Sequence, residues 1–170
     1  MTAIIRPTTA DDVAALQALV GAVALERRYL GATQPFTLQQ TRDYLAHVEA
    51  GGGVALVAVS GERLVGWTDI LPGPFEGLTH YGRLGMGVAA DARGQGIGPA
   101  LLQAALRLGF ERFQRIELEV FASNTRAHRL YLRLGFVEEG RRRAARLIDG
   151  QADDILMMGM LREEWTKTQT

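Results

Sequence analysis

The feature that most constrains the fold of this chain is a glycine-rich loop, Arg93-Gly94-Gln95-Gly96-Ile97-Gly98, between a predicted strand and a predicted helix. The strand is expected over residues 81–88, and the helix is expected to begin near Gly98, where Pro99 suits a first helical turn. Glycines permit positive φ angles and let backbone N–H groups approach an anion, and the helix N-terminus adds further N–H donors. The loop therefore predicts a pyrophosphate site, and a tight glycine turn without a ligand is the alternative.

A dinucleotide-binding loop of the Gly-x-Gly-x-x-Gly type is a rival interpretation of the same glycines. It fails because Pro99 occupies the position of the third glycine. It also fails because residues 89–93 separate the loop from the end of the strand, whereas the dinucleotide loop follows its strand directly.

Hydrophobic periodicity along the rest of the chain predicts a single domain with mixed strands and helices. Apolar alternation and β-branched runs indicate strands, and apolar residues at helical spacing behind capping residues indicate helices. The expected strands cover residues 4–6, 54–59, 64–70, 81–88, 116–120, 136–143 and 155–161. The expected helices run from about residue 10 into the twenties, over 37–48, from near 98 to 108 and over 124–134. The fold class is α/β, with a mixed sheet.

The composition excludes several kinds of catalytic chemistry. The chain has no cysteine, so thiol nucleophiles, disulfides and thiolate metal sites are excluded. Its histidines, His47, His80 and His128, show no metal-ligand spacing, and neither serine stands in a Gly-x-Ser-x-Gly motif. We therefore expect an enzyme of this composition to need no metal and to take its reactive group from a cofactor.

The charge balance and the apolar runs bear on partners and location. Lys plus Arg and Asp plus Glu are equal at 19 each, so the chain lacks the basic excess that nucleic-acid binding usually requires. The opening residues lack a signal-peptide pattern, and no apolar run is long enough to cross a bilayer. We expect no nucleic-acid or membrane partner and a cytoplasmic location. A homodimer is the assembly to test.

Two linked motifs resemble the GCN5-related N-acetyltransferase (GNAT) superfamily. The loop from Arg93 to Gly98 matches that family's Gln/Arg-x-x-Gly-x-Gly/Ala signature. The family's next motif along the chain also has its match here, in Leu118-Glu119-Val120-Phe121-Ala122-Ser123-Asn124, Ala127, Leu130-Tyr131 and Leu134-Gly135-Phe136. The opening Ile5-Arg6-Pro7-Thr8 with Ala10-Asp11-Asp12 is similar to the family's first strand and helix. The resemblance implies a GNAT domain over residues 1–165, with a tail at 166–170. It also implies a mostly antiparallel mixed sheet of about six to seven strands, flanked by about four helices.

The resemblance further implies acetyl-coenzyme A as the acyl donor and a role for each matched residue. The backbone of Met86, Gly87 and Val88 would pair with the pantetheine arm like an added strand. The pyrophosphate would be held by the amides of Arg93, Gly94, Gln95, Gly96, Ile97 and Gly98, with Arg93 and Arg126 able to add charge-assisted contacts. Asn124 resembles the residue that contacts the pantetheine arm near its thiol end, and Tyr131 resembles the tyrosine beside the thioester sulfur.

Transfer to an amine requires a neutral nucleophile, so a base is needed at neutral pH. Glu119 is the predicted base, because it matches the glutamate in the Leu-Glu-Val-x-Ala-Ser-Asn stretch of ribosomal-protein alanine N-acetyltransferases. Glu117 and Asp69 are alternatives, and a solvated strand face would explain both glutamates without catalysis. Tyr131 is the predicted acid because of its place in the motif, and a core aromatic is the alternative, since it shares a helical face with Ala127, Leu130 and Leu134.

The acceptor is the least constrained part of the prediction. The segments 80–88 and 140–150 resemble the bacterial L-amino-acid N-acyltransferase branch, which implies a free amino acid or another small primary amine. A peptide or protein α-amine is the enzymatic alternative, and a coenzyme A-binding sensor without turnover is the non-enzymatic one.

An acceptor pocket or an ordinary core would explain the aromatic residues near the 72–79 loop, Trp67, Phe75, His80 and Tyr81. The cluster Arg141-Arg142-Arg143 with Arg146 is interpreted as a solvated strand face.

Overall fold

Seven strands and five helices follow one another along residues 3–168, the part of the chain that the computed structural model describes. The strands are β1 (Ile4–Pro7), β2 (Val54–Ser60), β3 (Arg63–Pro72), β4 (Tyr81–Val88), β5 (Arg115–Phe121), β6 (Val137–Ile148) and β7 (Gln151–Leu161). The helices are α1 (Val13–Leu25), α2 (Leu38–Ala50), α3 (Ile97–Arg112), α4 (Thr125–Leu134) and α5 (Arg162–Thr168). None of these helices is long and apolar enough to cross a membrane.

All strands form one sheet in the order β1-β2-β3-β4-β5-β7-β6. β4 and β5 pair in parallel, and the other neighbouring strands pair antiparallel. The predicted mixed, mostly antiparallel sheet of the α/β fold is therefore confirmed. The parallel pair sits at the middle of the sheet.

Helices cover both faces of the sheet and bury two apolar clusters. On one face, α3 and α4 pack over β2 to β5 around Leu101, Leu106, Phe113 and Ile116, all of which are fully buried. On the other face, α1 and α2 cover β2 and β3, with Leu16, Leu19, Val23, Val57 and Trp67 in the second cluster. Burial of these side chains provides the main driving force for the fold.

Local chemistry at the helix ends agrees with the sequence prediction. Thr37 accepts a hydrogen bond from the backbone N–H of Gln40 at 3.1 Å, and the Gln40 side chain accepts from the backbone N–H of Thr37 at 2.8 Å. This reciprocal capping box fixes the start of α2. Gly135, at φ +101°, ends α4, because a left-handed residue there closes the last turn at little cost for glycine.

The C-terminal part differs from the prediction in extent. β6 runs to Ile148 rather than to residue 143, and β7 begins at Gln151 rather than at 155. β6 is an edge strand exposed over most of its length, so it shows no apolar alternation. A fifth helix, α5, was not predicted, and the expected boundary at residue 165 falls within it. Residues 1, 2, 169 and 170, including the end of the expected tail, lie outside the described part of the chain.

Candidate active site

β4 and β5 separate after a short paired stretch and leave an opening in the middle of the sheet. Their parallel pairing joins Tyr81 to Arg115, Gly82 to Ile116 and Arg83 to Glu117, and among the described residues it extends no further. Both strands nevertheless continue, to Val88 and to Phe121. The inner edge of β4 beyond Arg83 therefore presents backbone groups that an extended ligand can pair with, as the sequence prediction for Met86, Gly87 and Val88 requires.

The glycine loop leads from this opening into α3. Gly94 and Gly96 have φ angles of +84° and +81°, values that favour glycine, and Gly96 directly precedes the first turn of α3. A Cβ atom added to Gly94 would lie 3.3 Å from an Nη atom of Arg126, so that guanidinium stands over the loop. The loop thus combines free helix N–H groups with an adjacent positive charge, which is the chemistry that a pyrophosphate needs.

The Arg93 side chain is engaged elsewhere. Its Nη1 donates to Glu26 at 2.8 Å, its Nε donates to the carbonyl of Val88 at 3.0 Å, and its guanidinium lies 4.5 Å from the centre of the Tyr29 ring. Of the two arginines suggested by the sequence for a charge contact, Arg126 is therefore the one whose guanidinium stands beside the loop, and Arg93 is held by other partners. The Arg93 backbone amide remains part of the loop.

α4 brings Asn124 and Tyr131 to the same opening. Asn124 caps this helix, because its Oδ1 accepts a hydrogen bond from the backbone N–H of Ala127 at 3.2 Å, which leaves its amide NH₂ group for other partners. Tyr131 is 6% exposed and packs edge-on against Phe136 at 5.8 Å between ring centres. Burial raises the pKa of Tyr131 well above its ordinary value, so it is a neutral phenol at physiological pH.

The two predicted glutamates lie on the opposite face of the sheet from Tyr131's helix, and both make ion pairs. Glu119 pairs with Arg142 of β6 and lies 3.8 Å from Arg83. Glu117 lies 3.4 Å from Arg115. The Glu119 side chain is 40% exposed. It stands near the opening but does not line the adjacent cavity.

That cavity, of about 520 Å³, lies beneath α1, α2 and their connecting segment and reaches the β4 edge at Gly85 and Met86. Asp69 of β3 projects into it and is only 8% exposed. The Tyr44 hydroxyl donates a hydrogen bond to Asp69 Oδ1 at 2.8 Å. Because burial dominates over this bond, the pKa of Asp69 is raised to about 7. Sequence reasoning had placed Asp69 behind Glu119 as a base.

The aromatic residues proposed from sequence to line the acceptor pocket are only partly brought together. Trp67 lines the 520 Å³ cavity. Phe75 is 70% exposed on its loop, and His80 borders a different surface hollow near α5, so neither belongs to it. The aromatic residues that do line the cavity and were missed are Phe36 and Tyr44. For Tyr44, the signal was available in the amphipathic pattern of α2.

Comparison with known proteins decides the family. The model of the acetyltransferase (GNAT) family matches residues 19–136 of this chain, which include the opening, the glycine loop and α4. The chain belongs to this family. It is therefore an acetyltransferase that acts on amines, an N-acetyltransferase, as the sequence predicts.

Solved structures of GNAT proteins agree. Ribosomal-protein-alanine N-acetyltransferase from Brucella melitensis is 28% identical, with 93% of this chain and 99% of that chain covered and a TM-score of 0.88. An acetyltransferase of the GNAT family from Streptococcus pneumoniae is 25% identical, with 94% and 99% covered and a TM-score of 0.87. The phosphinothricin acetyltransferase from Sinorhizobium meliloti, solved in complex with acetyl-coenzyme A, is 19% identical, with 95% and 89% covered and a TM-score of 0.90. At that identity the last comparison shows the fold alone.

Proposed function

We propose that this N-acetyltransferase moves the acetyl group of acetyl-coenzyme A directly to the primary amine of a small molecule, with an amino acid as the favoured acceptor. The observation that carries the proposal is that the opening between β4 and β5 meets a cavity at Gly85 and Met86. A donor along β4 and an acceptor in the cavity would then meet at one point of the strand. Such proximity is a large part of bimolecular catalysis.

The donor site of the proposal consists of three parts. Met86, Gly87 and Val88 offer the unpaired edge of β4 to the pantetheine arm, and the amides from Arg93 to Gly98 hold the pyrophosphate beside Arg126. Asn124 contributes its free NH₂ group near the thiol end. Support comes from the positive φ angles of the loop and from the close approach of Arg126 to Gly94.

Proton transfer in the proposal involves Tyr131 and a carboxylate. The buried, neutral phenol of Tyr131 is suited to donate to the departing thiolate while the attacking nitrogen loses a proton. Tyr131→Phe should lower kcat with little change in cofactor affinity. Glu119 stays the base predicted from sequence, and Asp69 is the second carboxylate beside the opening; the pH experiment in the Discussion separates them.

The cofactor site is tested with Gly96→Asp. The residue has open space around it, and aspartate tolerates positive φ better than most residues, so the variant should fold. Its carboxylate should repel the pyrophosphate and abolish measurable binding of acetyl-coenzyme A in calorimetry. Gly77→Asp, at another open position without positive φ, is the matched control. Unchanged affinity in folded Gly96→Asp would overturn the donor site.

The reaction itself is tested by thiol release from acetyl-coenzyme A with a panel of free amino acids, other small primary amines and short peptides. Turnover with small amines supports the proposal. Turnover with peptides alone would move the acceptor to a peptide α-amine, and tight cofactor binding without any turnover would indicate a sensor. The homodimer stays a prediction that light scattering on the purified chain would test.

A further inference from the structure

The acceptor cavity has the size of a small-molecule site and a strongly apolar wall. Its volume of about 520 Å³ falls within the ~300–1,000 Å³ of typical ligand pockets. The apolar residues that line it come from both helices, from their connecting segment and from the strands: Leu16, Val20, Leu30, Phe36, Leu45 and Trp67. A wall of this kind offers little to a polar substituent and favours one that loses apolar surface to water.

The segment that joins α1 to α2 lines the cavity with Leu30, Ala32 and Phe36, and it is held by side-chain hydrogen bonds at two places. The Gln17 side chain donates to the carbonyl of Phe36 at 2.6 Å. Arg27 donates to Asp149 at the tip of the β6–β7 hairpin at 2.7 and 2.9 Å, and Arg146 donates to the Arg27 carbonyl at 2.8 Å. The apolar wall at Leu30 and Phe36 is thus held in place rather than left as a loose loop.

Asp69 is the one acidic residue among those described around the cavity, and none of the others there is basic. Its neighbours in the wall are uncharged: Thr8, Gln40, Thr41, Tyr44 and Thr68. Its carboxylate lies over the β4 edge, because a Cβ atom added to Gly85 would come within 3.1 Å of Asp69 Oδ1. Gly85 directly precedes the residues proposed to hold the pantetheine arm. The carboxylate is therefore beside the place where the acyl group would arrive.

The surroundings of Asp69 leave its charge uncompensated. Within residues 3–168, the one side-chain hydrogen bond that Asp69 accepts comes from the Tyr44 hydroxyl of α2. The charge of Arg83 on β4 acts on Tyr44. A buried carboxylate without a cationic partner is costly to maintain. A substrate ammonium would supply that missing partner.

We propose that the cavity is the acceptor site for a primary amine with a bulky apolar substituent, and that Asp69, positioned by Tyr44, binds the ammonium group and accepts its proton. This inference rests on the proposed acetyl transfer and adds the class of its acceptor. An apolar amino acid and an apolar monoamine share this chemistry. Arg83, whose side chain is 58% exposed and whose charge acts on Tyr44 of the cavity wall, is the group that would meet the carboxylate of an amino acid.

The proton and bond balance of the step is complete. The ammonium gives one proton to the Asp69 carboxylate, and the neutral nitrogen attacks the thioester carbonyl. The new C–N bond forms, the C–S bond breaks, and the second nitrogen proton reaches the thiolate through Tyr131. Amide and free thiol leave, and Asp69 releases its proton to solvent.

The two candidate carboxylates differ in what surrounds them. Glu119 pairs with Arg142 and lies 3.8 Å from Arg83, and its side chain is 40% exposed. A carboxylate that already has cationic partners in water gains little from a further ammonium. Asp69 has the opposite surroundings, which is why we assign the amine to it.

The first test measures kcat/KM for a series of linear primary amines from propyl to hexyl, and for leucine and phenylalanine beside their decarboxylated amines. Each added methylene should raise kcat/KM about fourfold until the cavity is full, as burial of ~0.8 kcal/mol per methylene requires. Glycine and ethanolamine should be poor acceptors. Within each pair, a higher kcat/KM for the amino acid shows that the enzyme recognises the substrate carboxylate. A higher kcat/KM for the monoamine shows that it does not. Both results agree with an apolar site.

The second test uses two variants with matched controls. Asp69→Asn should lower kcat/KM ~10²–10⁴-fold, whereas Asp43→Asn, an exposed position on α2, should not. Ala55 is the cross-strand partner of Asp69 and lines the cavity, so Ala55→Leu should reduce acetylation of hexylamine at least tenfold more than that of propylamine. Ala22→Leu on the exposed side of α1 is its control. Thermal melts establish that each variant folds.

The outcomes separate this inference from the proposed function. If no amine is acetylated, the proposed function fails. If amines are acetylated but kcat/KM is flat or falls with apolar size, or if folded Asp69→Asn retains wild-type rates, the transferase stands and the assignment of cavity and carboxylate is wrong.

Discussion

Two buried aspartates, Asp12 and Asp69, have opposite electrostatic surroundings. Asp12 is 5% exposed and Asp69 is 8% exposed. Asp12 accepts two hydrogen bonds from the Arg6 guanidinium, at 2.7 and 2.8 Å, and two more from Thr9. Asp69 accepts one, from the Tyr44 hydroxyl. The pKa of Asp12 is accordingly lowered to about 2, chiefly by Arg6, and that of Asp69 is raised to about 7 by burial.

The contrast shows how one residue type serves the fold in one place and chemistry in another. Asp12 ties β1 to the start of α1 and is stabilised as an anion by groups fixed nearby in sequence. Asp69 has no cationic partner in the described part of the chain, so its burial costs stability that the fold must supply elsewhere. Carboxylates with pKa values near 7 are suited to exchange protons at physiological pH, and unfavourable groups of this kind are concentrated at active sites.

The largest expected effect concerns the pH dependence of activity. With an apolar monoamine, wild-type kcat/KM should rise as Asp69 loses its proton through about pH 7, and fall once the amine itself deprotonates near ~10. Asp69→Asn should reduce kcat/KM ~10²–10⁴-fold at pH 7. It should also replace the limb near pH 7 by a rise that continues toward the pKa of the amine, because only the neutral amine then reacts. Glu119→Gln should keep the lower limb.

The same profiles test the sequence prediction directly. If Glu119 takes the proton, Glu119→Gln should show the larger loss at low pH, with recovery as solvent supplies neutral amine, and Asp69→Asn should keep the wild-type limb. Stopped thiol-release assays from pH 5.5 to 10, with thermal melts at each pH, distinguish the two results.

The second prediction is a gain in stability from removing the functional aspartate. A folded-state pKa of about 7 against an ordinary 3.8 means that the folded protein holds a proton which the unfolded chain has released between those values. Stability therefore falls as pH rises from about 4 to 7, by at most about 4 kcal/mol at ~1.4 kcal/mol per pKa unit. Asp69→Asn should be more stable than wild type at pH 8 and equal to it at pH 3.5. Urea unfolding at both pH values would measure this, and a variant less stable than wild type at pH 8 would contradict it.

The third prediction is a loss of stability from removing the charge of Asp12. Its lowered pKa contributes stability that is fully present above pH 3.8 and is lost as pH falls through about 2. Asp12→Asn should cost about 2 kcal/mol at pH 7, or roughly 4–8 °C in Tm, and leave kcat per folded molecule unchanged. Asp11→Asn, at the exposed neighbouring position, is the control. A loss of kcat in folded Asp12→Asn would contradict the assignment of Asp12 to stability and Asp69 to catalysis.

The sequence revealed features whose chemistry is local. The positive φ angles of Gly94 and Gly96, the Asn124 cap and the Gly135 stop each depend on neighbouring residues, and all were predicted correctly. The Asp69–Tyr44 bond joins residues 25 apart, and the Arg93–Glu26 pair joins residues 67 apart. No local pattern encodes such pairs, because they form only when helices close over the sheet. The sequence therefore indicated Trp67 and Asp69 of the cavity but missed the lining residues of α1, α2 and their connecting segment, which depend on that closure.

The smallest expected effect comes from removing the Tyr44 hydroxyl, and it tests whether the one bond to Asp69 matters. Tyr44 stays protonated, because burial and the Asp69 charge raise its pKa, so it acts only as a donor. Its bond favours the charged carboxylate and thereby lowers the pKa of Asp69 against the effect of burial. A hydrogen bond worth ~0.5–1.5 kcal/mol corresponds to roughly 0.4–1 pKa unit. Tyr44→Phe should therefore move the lower limb of the kcat/KM profile to higher pH by that amount.

The loss of kcat/KM in Tyr44→Phe should be several-fold at pH 6 and should nearly vanish at pH 9, which a purely structural role for Tyr44 would not produce. Tyr44→Phe in the Asp69→Asn background should show no such dependence on pH, and a pH-dependent loss there would mean that Tyr44 acts on some other group.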